Sequence, residues 1–167
     1  MFGFCPGAEF GPAKRWPHYH YAELAKQLID DGYQLVLFGS AKVHEAGNEI
    51  LAALNTEQQA WCRNLAGETQ LDQAVILIAA CKAIVTNDSG LMHVAAALNR
   101  PLVALYGPSS PDFTPPLSHK ARVIRLITGY HKVRKGDAAE GYHQSLIDIT
   151  PQRVLEELNA LLLQEEA

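Results

Sequence analysis

Short apolar segments alternate with segments of helical periodicity along the chain, and this alternation restricts the fold more than any other feature. Tyr21, Leu24, Ala25 and Leu28 recur at i, i+3, i+4 and i+7, which indicates one face of an amphipathic helix. Strands that alternate with helices are typical of a parallel sheet covered on both faces. We therefore predict an α/β fold, a Rossmann-like doubly wound parallel sheet. The strand candidates are Phe2–Cys5, 34–38, 63–65, 83–86, 102–106 and 122–126.

Further helices are expected at 71–81, at 91–98 and around Ile50, Leu51 and Leu54, with Gly32 ending the first helix. Thr150-Pro151 supplies an N-cap and an N1 proline for a C-terminal helix. The 167 residues suit one domain, residues 1–167. A strand directly after Met1 is unusual for a central sheet, so we expect a preceding half to be absent from this chain.

The bulk composition restricts the partners and the compartment. A net charge of −4 argues against a general nucleic-acid binder. No apolar run approaches the roughly 20 residues needed to cross a bilayer, and no secretory signal is visible. Cys5, Cys62 and Cys81 have no metal-ligand spacing, which favours reduced thiols and a cytoplasmic protein. The histidines, His18 included, form no recognisable metal or catalytic set, and we expect structural or surface roles for those other than His93.

Basic residues are concentrated in the segment 120–135, which contains no Asp or Glu. A solvated loop and strand edge is the plainer interpretation. The alternative is a rim that faces a phosphate-bearing partner or makes a peripheral contact with a membrane. The basic residues are Lys120, Arg122, Arg125, Lys132, Arg134 and Lys135.

The segment Asn87-Asp88-Ser89-Gly90-Leu91-Met92-His93 joins an apolar strand to an alanine-rich helix. A helix N-terminus offers free N–H groups and a positive dipole end, both of which attract an anion. Gly90 permits close approach of a ligand, Ser89 can cap the helix or donate to an oxygen, and His93 lies one turn further on. An ordinary helix cap and a structural histidine are the competing interpretations.

The segment 6–17 (PGAEFGPAKRWP) also follows a strand and leads into a helix. Lys14 adds a mobile positive charge, Glu9 could orient a sugar hydroxyl, and Trp16 is expected to anchor the loop by packing. Two such corners, one with a lysine, indicate a site for a phosphorylated ligand. The sequence has neither a P-loop nor a G-x-G-x-x-G motif after a strand. It also lacks an Asp-x-Asp pair for a divalent ion, which points to metal-independent chemistry.

These two segments, followed in order by Tyr106-Gly107-Pro108, resemble the ADP-heptose:lipopolysaccharide heptosyltransferases of glycosyltransferase family 9. The resemblance covers nearly the whole chain and matches the C-terminal, donor-binding half of a two-domain GT-B protein. It implies inverting transfer of heptose from ADP-heptose to the inner core of lipopolysaccharide, without a cofactor.

The resemblance also implies roles for single residues. Lys14 would contact the diphosphate, and Asp88 would bind the heptose hydroxyls. Ser89, Gly90 and His93 would line the diphosphate pocket, with Glu9 and Phe10 in the loop that faces the donor. The family often places an acidic residue after the second strand to hold the nucleoside, where this chain has Gly39-Ser40-Ala41.

In the family the general base is an Asp of the N-terminal half, so the resemblance implies no catalytic residue in this chain. Because inverting transfer needs such a base, the isolated chain should bind the donor and transfer sugar poorly or not at all. Two alternatives stay open at this point: another GT-B enzyme that uses a UDP-sugar, and a nucleotide-binding module without chemistry of its own.

Overall fold

The structure, a computed structural model, describes residues 1–8, 11–129, 136 and 138–166. A six-stranded parallel sheet has the strand order β3-β2-β1-β4-β5-β6. This is the doubly wound order, in which the direction of winding reverses between β1 and β4. The predicted α/β fold is confirmed. The strands are β1 (Phe2–Cys5), β2 (Leu35–Leu37), β3 (Cys62–Asn64), β4 (Ala83–Asn87), β5 (Leu102–Tyr106) and β6 (Ala121–Arg125).

Seven α-helices and three 3₁₀ turns are described between and after the strands. The 3₁₀ turns span Pro12–Lys14, Ala41–Val43 and Ala139–Gly141. The helices are α1 (His18–Asp30), α2 (His44–Ala52), α3 (Thr56–Gln59), α4 (Leu71–Ala79), α5 (Gly90–Ala97), α6 (Gln144–Ile147) and α7 (Pro151–Glu166). None of the helices within these residues combines the length and the apolar character that crossing a membrane requires.

Each face of the sheet has its own apolar core. One cluster packs α1, α2, α6 and α7 on the sheet, through side chains such as Leu24, Ile50 and Leu158. The other packs α4 and α5 on the opposite face, through Ile78 and Met92 among others. Both faces of the central strands are therefore buried, which explains their nearly continuous apolar sequences.

The predicted helix ends agree with the structure at two informative points. Gly32 adopts φ 95° after Asp31, a left-handed conformation that glycine reaches without a steric penalty. At the start of α7, the Thr150 hydroxyl accepts a hydrogen bond from the Arg153 N–H over 3.1 Å, as an N-cap does.

Two helices differ from prediction. The apolar run after Gln70 forms a helix over Leu71–Ala79 only, with Leu71 and Ile76 66% and 69% exposed. The short helix α3 was not expected, although Asn55 and Gln58 form a reciprocal capping box at its start.

Candidate functional site

A pocket of about 760 Å³ lies where the loops after β1, β2 and β4 meet. These loops leave the carboxyl ends of adjacent parallel strands, at the point where the winding direction reverses. Ligands of doubly wound sheets bind in this crevice. The described lining residues are Cys5, Gly7, Ala8, Gly11, Arg15, Phe38, Gly39, Ser40, Lys42, Val43, Thr69, Gln70, Leu71, Ala74, Ser89, Gly90, Leu91 and Val94.

One side of the pocket is mostly apolar. Phe38 follows β2, Leu71 and Ala74 belong to α4, and Leu91 and Val94 to α5. Thr69 and Gln70 add a few polar groups on that side. An apolar wall with a few polar groups suits the ring of a nucleobase.

The loops after β1 and β2 contact each other closely in the floor of the pocket. A Cβ at Gly7 would lie 2.4 Å from a Val43 methyl carbon, and a Cβ at Gly39 would lie 2.8 Å from the Val43 Cβ. A larger residue at Gly7 would clash with Val43 of the other loop, and one at Gly39 would clash with Val43 within the same loop. Gly7 therefore permits the close approach of the two loops.

The amino end of α5 forms another part of the lining. Ser89 has extended φ/ψ angles, and its side chain makes no capping hydrogen bond. Nothing lies within 4 Å of a Cβ built on Gly90, so the first turn of the helix is open to the pocket. Unsatisfied N–H groups at such an end bind anions together with the helix dipole.

The charged side chains among the described lining residues are Arg15 and Lys42, and both are cationic. The Arg15 Nε atom is buried, and within the described part of the chain it has no hydrogen-bond partner. A buried unpaired N–H group of this kind is costly unless a ligand or solvent completes it. The described lining of the pocket is therefore positively charged, although the whole chain has a net charge of −4.

Sequence reasoning missed Arg15 and Lys42. Arg15 directly follows Lys14 in the loop after β1, and Lys42 lies in the 3₁₀ turn after β2. A search for basic residues anywhere in the loops that follow predicted strands would have found both. Their convergence depends on β1 and β2 being neighbours in the sheet.

Cys5 lines the pocket but is not a nucleophile at neutral pH. Burial raises the pKa of the Cys5 thiol to about 12, and the nearby Cys81 thiol adds to this effect. All three cysteines are buried and free. They are protonated thiols, as expected for structural cysteines.

The structure places the predicted binding residues in three different situations. Ser89 and Gly90 line the pocket. Lys14, Asp88 and His93 are absent from its described lining: Lys14 ends a 3₁₀ turn, and His93 is exposed on α5. The Asp88 carboxylate accepts a hydrogen bond from the Thr114 hydroxyl over 2.9 Å. The predictions for Glu9 and Phe10 concern positions outside the described residues.

The structure places His18 beside two carboxylates, a grouping that the sequence does not indicate. His18 Nδ1 lies 3.1 Å from a Glu49 carboxylate oxygen and 3.5 Å from a Glu140 oxygen, and the three ligand-type atoms lie within 4.8 Å of one another. The Tyr142 hydroxyl is 2.7 Å from the same nitrogen. These residues are far apart in sequence, so no spacing rule could group them.

This cluster borders a second, polar pocket of about 570 Å³, and Arg15 and Lys42 line both pockets. The Tyr142 hydroxyl also accepts a hydrogen bond from the His18 backbone N–H over 3.1 Å. These two contacts with His18 account for the position of the Tyr142 side chain.

The other histidines that the structure places with partners have structural roles, as predicted. His20 Nε2 lies 2.8 Å from the Ile147 carbonyl, and His44 Nδ1 lies 2.9 Å from the Ala66 carbonyl. Burial lowers the pKa of His20. The His143 side chain accepts a hydrogen bond from the Ser145 N–H at the start of α6.

The basic segment is largely engaged by the fold where it is described. Lys120 pairs with Glu165 at 2.8 Å, and an Arg122 nitrogen lies 3.7 Å from Glu157. Arg125 donates to the carbonyls of Gly107, Pro108 and Gly129. These contacts support the plainer interpretation of a strand edge. Lys132, Arg134 and Lys135 lie outside the described residues.

Residues 1–143 match the family described as glycosyltransferase family 9 (heptosyltransferase). The chain belongs to this family. It is 98% identical over 167 residues to lipopolysaccharide heptosyltransferase 2 of Escherichia coli K12, covering 100% of this chain and 48% of that protein. The chain thus spans about half the length of the curated relatives it matches.

Solved structures support the same assignment. The structure of E. coli ADP-heptose lipopolysaccharide heptosyltransferase II superposes with a TM-score of 0.92 and 92% identity, over 100% of this chain and 47% of that one. A family 9 glycosyltransferase from Veillonella parvula gives a TM-score of 0.83 at 32% identity, over 98% and 46% of the two chains. The fold is that of the C-terminal domain of GT-B heptosyltransferases.

Proposed function

We propose that this chain is the donor-binding domain of a type II heptosyltransferase, which moves heptose from ADP-heptose to the inner core of lipopolysaccharide. In this proposal residues 1–167 form one nucleotide-sugar-binding domain, and a separate N-terminal domain of the whole protein binds the acceptor. The observation that carries it is the pocket at the β1/β4 switch point, which combines an apolar wall, a helix N-terminus and two cations. The E. coli relative named for ADP-heptose supports the choice of donor.

The proposal divides the pocket according to the chemistry of the ligand. Adenine would lie against the apolar wall, and the diphosphate would lie near Ser89, Gly90 and the cationic side chains. Lys14 would approach the diphosphate from the loop after β1, and His93 from the next turn of α5. Asp88 would accept hydrogen bonds from heptose hydroxyls, with Glu9 and Phe10 in the loop that covers the sugar.

The reaction would proceed with inversion and without a metal ion. An acceptor hydroxyl attacks the anomeric carbon of heptose on the side opposite the diphosphate, while the bond from that carbon to the phosphate oxygen breaks. The base that takes the hydroxyl proton would come from the N-terminal domain. The cations and N–H groups of this chain would stabilise the charge that develops on the ADP leaving group.

The proposed location is cytoplasmic, with peripheral contact at the inner face of the membrane where a lipid-linked acceptor is presented. Sedimentation of the protein with vesicles that contain anionic lipid tests this contact. Recovery of the protein in the supernatant at low salt would contradict it.

Calorimetric titration of the chain with ADP-heptose, ADP and UDP tests the donor assignment. We expect ADP-heptose and ADP to bind and UDP to bind at least about tenfold more weakly, because a pyrimidine fills less of the apolar wall. Lys14→Ala should weaken the binding of ADP, whereas Lys26→Ala, on α1 away from the pocket, should leave it unchanged. Stronger binding of UDP would instead favour a UDP-sugar enzyme.

The transfer reaction is tested by placing this chain in the E. coli relative, in exchange for the matching half. We expect the exchanged protein to transfer heptose and the isolated chain to be inactive. Transfer by the isolated chain at a comparable rate would contradict the proposed division of labour.

A further inference from the structure

Asn87 is a fully buried polar residue at the end of β4, immediately before Asp88. It is not among the described residues that line the pocket. Its side-chain amide nevertheless makes four hydrogen bonds, all to residues distant in sequence. A buried side chain with this many partners fixes the relative positions of the segments it joins.

The amide connects both ends of the loop after β1 to the end of β4. Nδ2 donates to the Pro6 carbonyl over 2.7 Å and to the Gly7 carbonyl over 3.2 Å, at the start of that loop. Oδ1 accepts from the Trp16 backbone N–H over 3.0 Å, at its end. Lys14 and Arg15 lie between these two attachment points.

The orientation of the amide is determined by its partners. Two carbonyl oxygens can face only the NH₂ group, and the Trp16 N–H can face only the oxygen. The Tyr21 hydroxyl donates to Oδ1 over 2.9 Å, and burial raises the pKa of Tyr21, so that it keeps its proton. No other side chain of similar size offers two donors and an acceptor in this arrangement.

We propose that Asn87 is a positioning residue for the donor, which holds the loop bearing Lys14 and Arg15 against the turn formed by Asp88, Ser89 and Gly90. This inference rests on the proposed function, because it assigns the diphosphate to the space between these two segments. The motif Asn87-Asp88-Ser89-Gly90 then contains one residue that acts through the loop after β1 and others that act at the pocket. Removal of the amide leaves the Pro6 and Gly7 carbonyls and the Trp16 N–H without their partner.

The ligand dependence separates positioning from general loss of structure. Adenosine would use the apolar wall alone, whereas ADP would also use the two segments that Asn87 joins. Displacement of the loop should therefore weaken the binding of ADP and leave the binding of adenosine unchanged. A general loss of structure in the domain should weaken the binding of both.

The experiment compares the wild-type chain with Asn87→Ala and Tyr21→Phe by calorimetry with ADP and adenosine, well below each unfolding midpoint. Tyr21→Phe is the matched control, because it also removes a hydrogen bond to Oδ1 but leaves the loop bonds intact. We expect Asn87→Ala to raise the dissociation constant for ADP at least about tenfold and that for adenosine less than about threefold. Tyr21→Phe should change both less than about threefold. Equal weakening of the two ligands by Asn87→Ala, or equal ADP losses in both variants, would overturn the proposal.

Hydrogen exchange gives a measurement that needs no ligand. The Lys14 and Arg15 amides bond within the loop, to the Gly11 and Pro12 carbonyls, and not to Asn87. We expect their exchange to accelerate at least about tenfold in Asn87→Ala relative to the Ile84 amide in the sheet, and to stay unchanged in Tyr21→Phe. Unchanged exchange of the loop amides would overturn the proposal even if the wild-type chain binds neither ligand. Failure of the wild-type chain to bind either ligand would separately refute the donor assignment.

A milder variant covers the case in which Asn87→Ala does not fold. Asn87→Ser keeps a hydroxyl that can donate to one of the two loop carbonyls. We expect the same selective weakening of ADP and faster exchange of the loop amides, both smaller than for alanine. Wild-type values for ADP and for the loop amides would contradict the proposal.

Discussion

The Thr114 hydroxyl donates a hydrogen bond to the Asp88 carboxylate over 2.9 Å, so the loop after β5 touches the turn after β4. The Tyr106 hydroxyl donates a hydrogen bond to the Thr114 carbonyl, which anchors this loop to the end of β5. The hydrogen bond from Thr114 orients the Asp88 carboxylate, which keeps lone pairs for further donors. This arrangement suits the proposed role of Asp88 in accepting sugar hydroxyls.

Thr114→Val should therefore affect the sugar and not the nucleotide. We expect the dissociation constant for ADP-heptose to rise about three- to tenfold, since Asp88 loses its orienting bond, and that for ADP to stay within about twofold. Calorimetry with both ligands measures this. Phe113→Val, on the neighbouring and 70% exposed position, is the control. Equal weakening of ADP and ADP-heptose would contradict the role assigned to Asp88.

Gly90→Ala should separate stability from binding. Nothing lies within 4 Å of the added Cβ, and alanine is the better helix former, so the free energy of unfolding should stay the same or rise by up to about 1 kcal/mol. The methyl group would occupy the space at the amino end of α5, and we expect ADP to bind at least about tenfold more weakly. Urea unfolding and calorimetry measure the two effects. Undiminished ADP binding would place the diphosphate elsewhere.

Most of the fold follows from local signals in the sequence. The end of each strand lies within one residue of its prediction. Four of the strands are short apolar runs bounded by polar residues or turns, whereas the edge strands β3 and β6 also contain arginine. Residues 71–81 were less well predicted, since their apolar character arises partly from the pocket: Leu71 lines it and is not packed in the core. An apolar residue at a ligand site and one in a core look alike in sequence.

The site was predicted only in part, for a related reason. Ser89 and Gly90 follow from the helix N-terminus, which is a local feature. The convergence of Arg15 with Lys42, and of His18 with Glu49 and Glu140, depends on which strands are neighbours and how the loops turn. That information belongs to the tertiary structure, and a search along one sequence cannot recover it.

The buried thiols should make the chain less stable at alkaline pH. Burial raises the pKa of Cys62 to about 12, from an ordinary value of 9.0. The unfolded state therefore loses this proton first as the pH rises above 9, and the stabilising contribution of the protonated thiol falls until about pH 12. The slope is about 1.4 kcal/mol per pH unit for one thiol.

Cys62→Ala isolates this contribution. Urea unfolding in reductant at pH 8, 9, 10 and 11 should give a less steep decline above pH 9 in the variant, by roughly that slope, whatever its stability at pH 8. The buried tyrosines titrate in both proteins, so their effect cancels in the difference. Parallel curves for the two proteins would show that the Cys62 thiol does not titrate differently on folding.

Arg15 and Lys42 should supply much of the attraction for the diphosphate. Arg15→Gln and Lys42→Gln each remove one of the positive charges among the described lining residues. We expect each variant to bind ADP about three- to thirtyfold more weakly and adenosine within about twofold, because only ADP carries the diphosphate. The larger loss is expected for Arg15, whose Nε is buried, than for the exposed Lys42.

Lys26→Gln removes the same charge from α1, where Lys26 pairs with Glu23 and does not line the pocket. Its affinity for ADP should equal that of the wild type at 150 mM salt, where charges farther apart than about 8 Å are largely screened. If all three variants weakened the binding of ADP equally, this would show that the net charge of the chain, and not the charges of the pocket, attracts the nucleotide. If Arg15→Gln and Lys42→Gln bound ADP as the wild type does, the diphosphate would depend on Lys14 and the N–H groups of α5 alone.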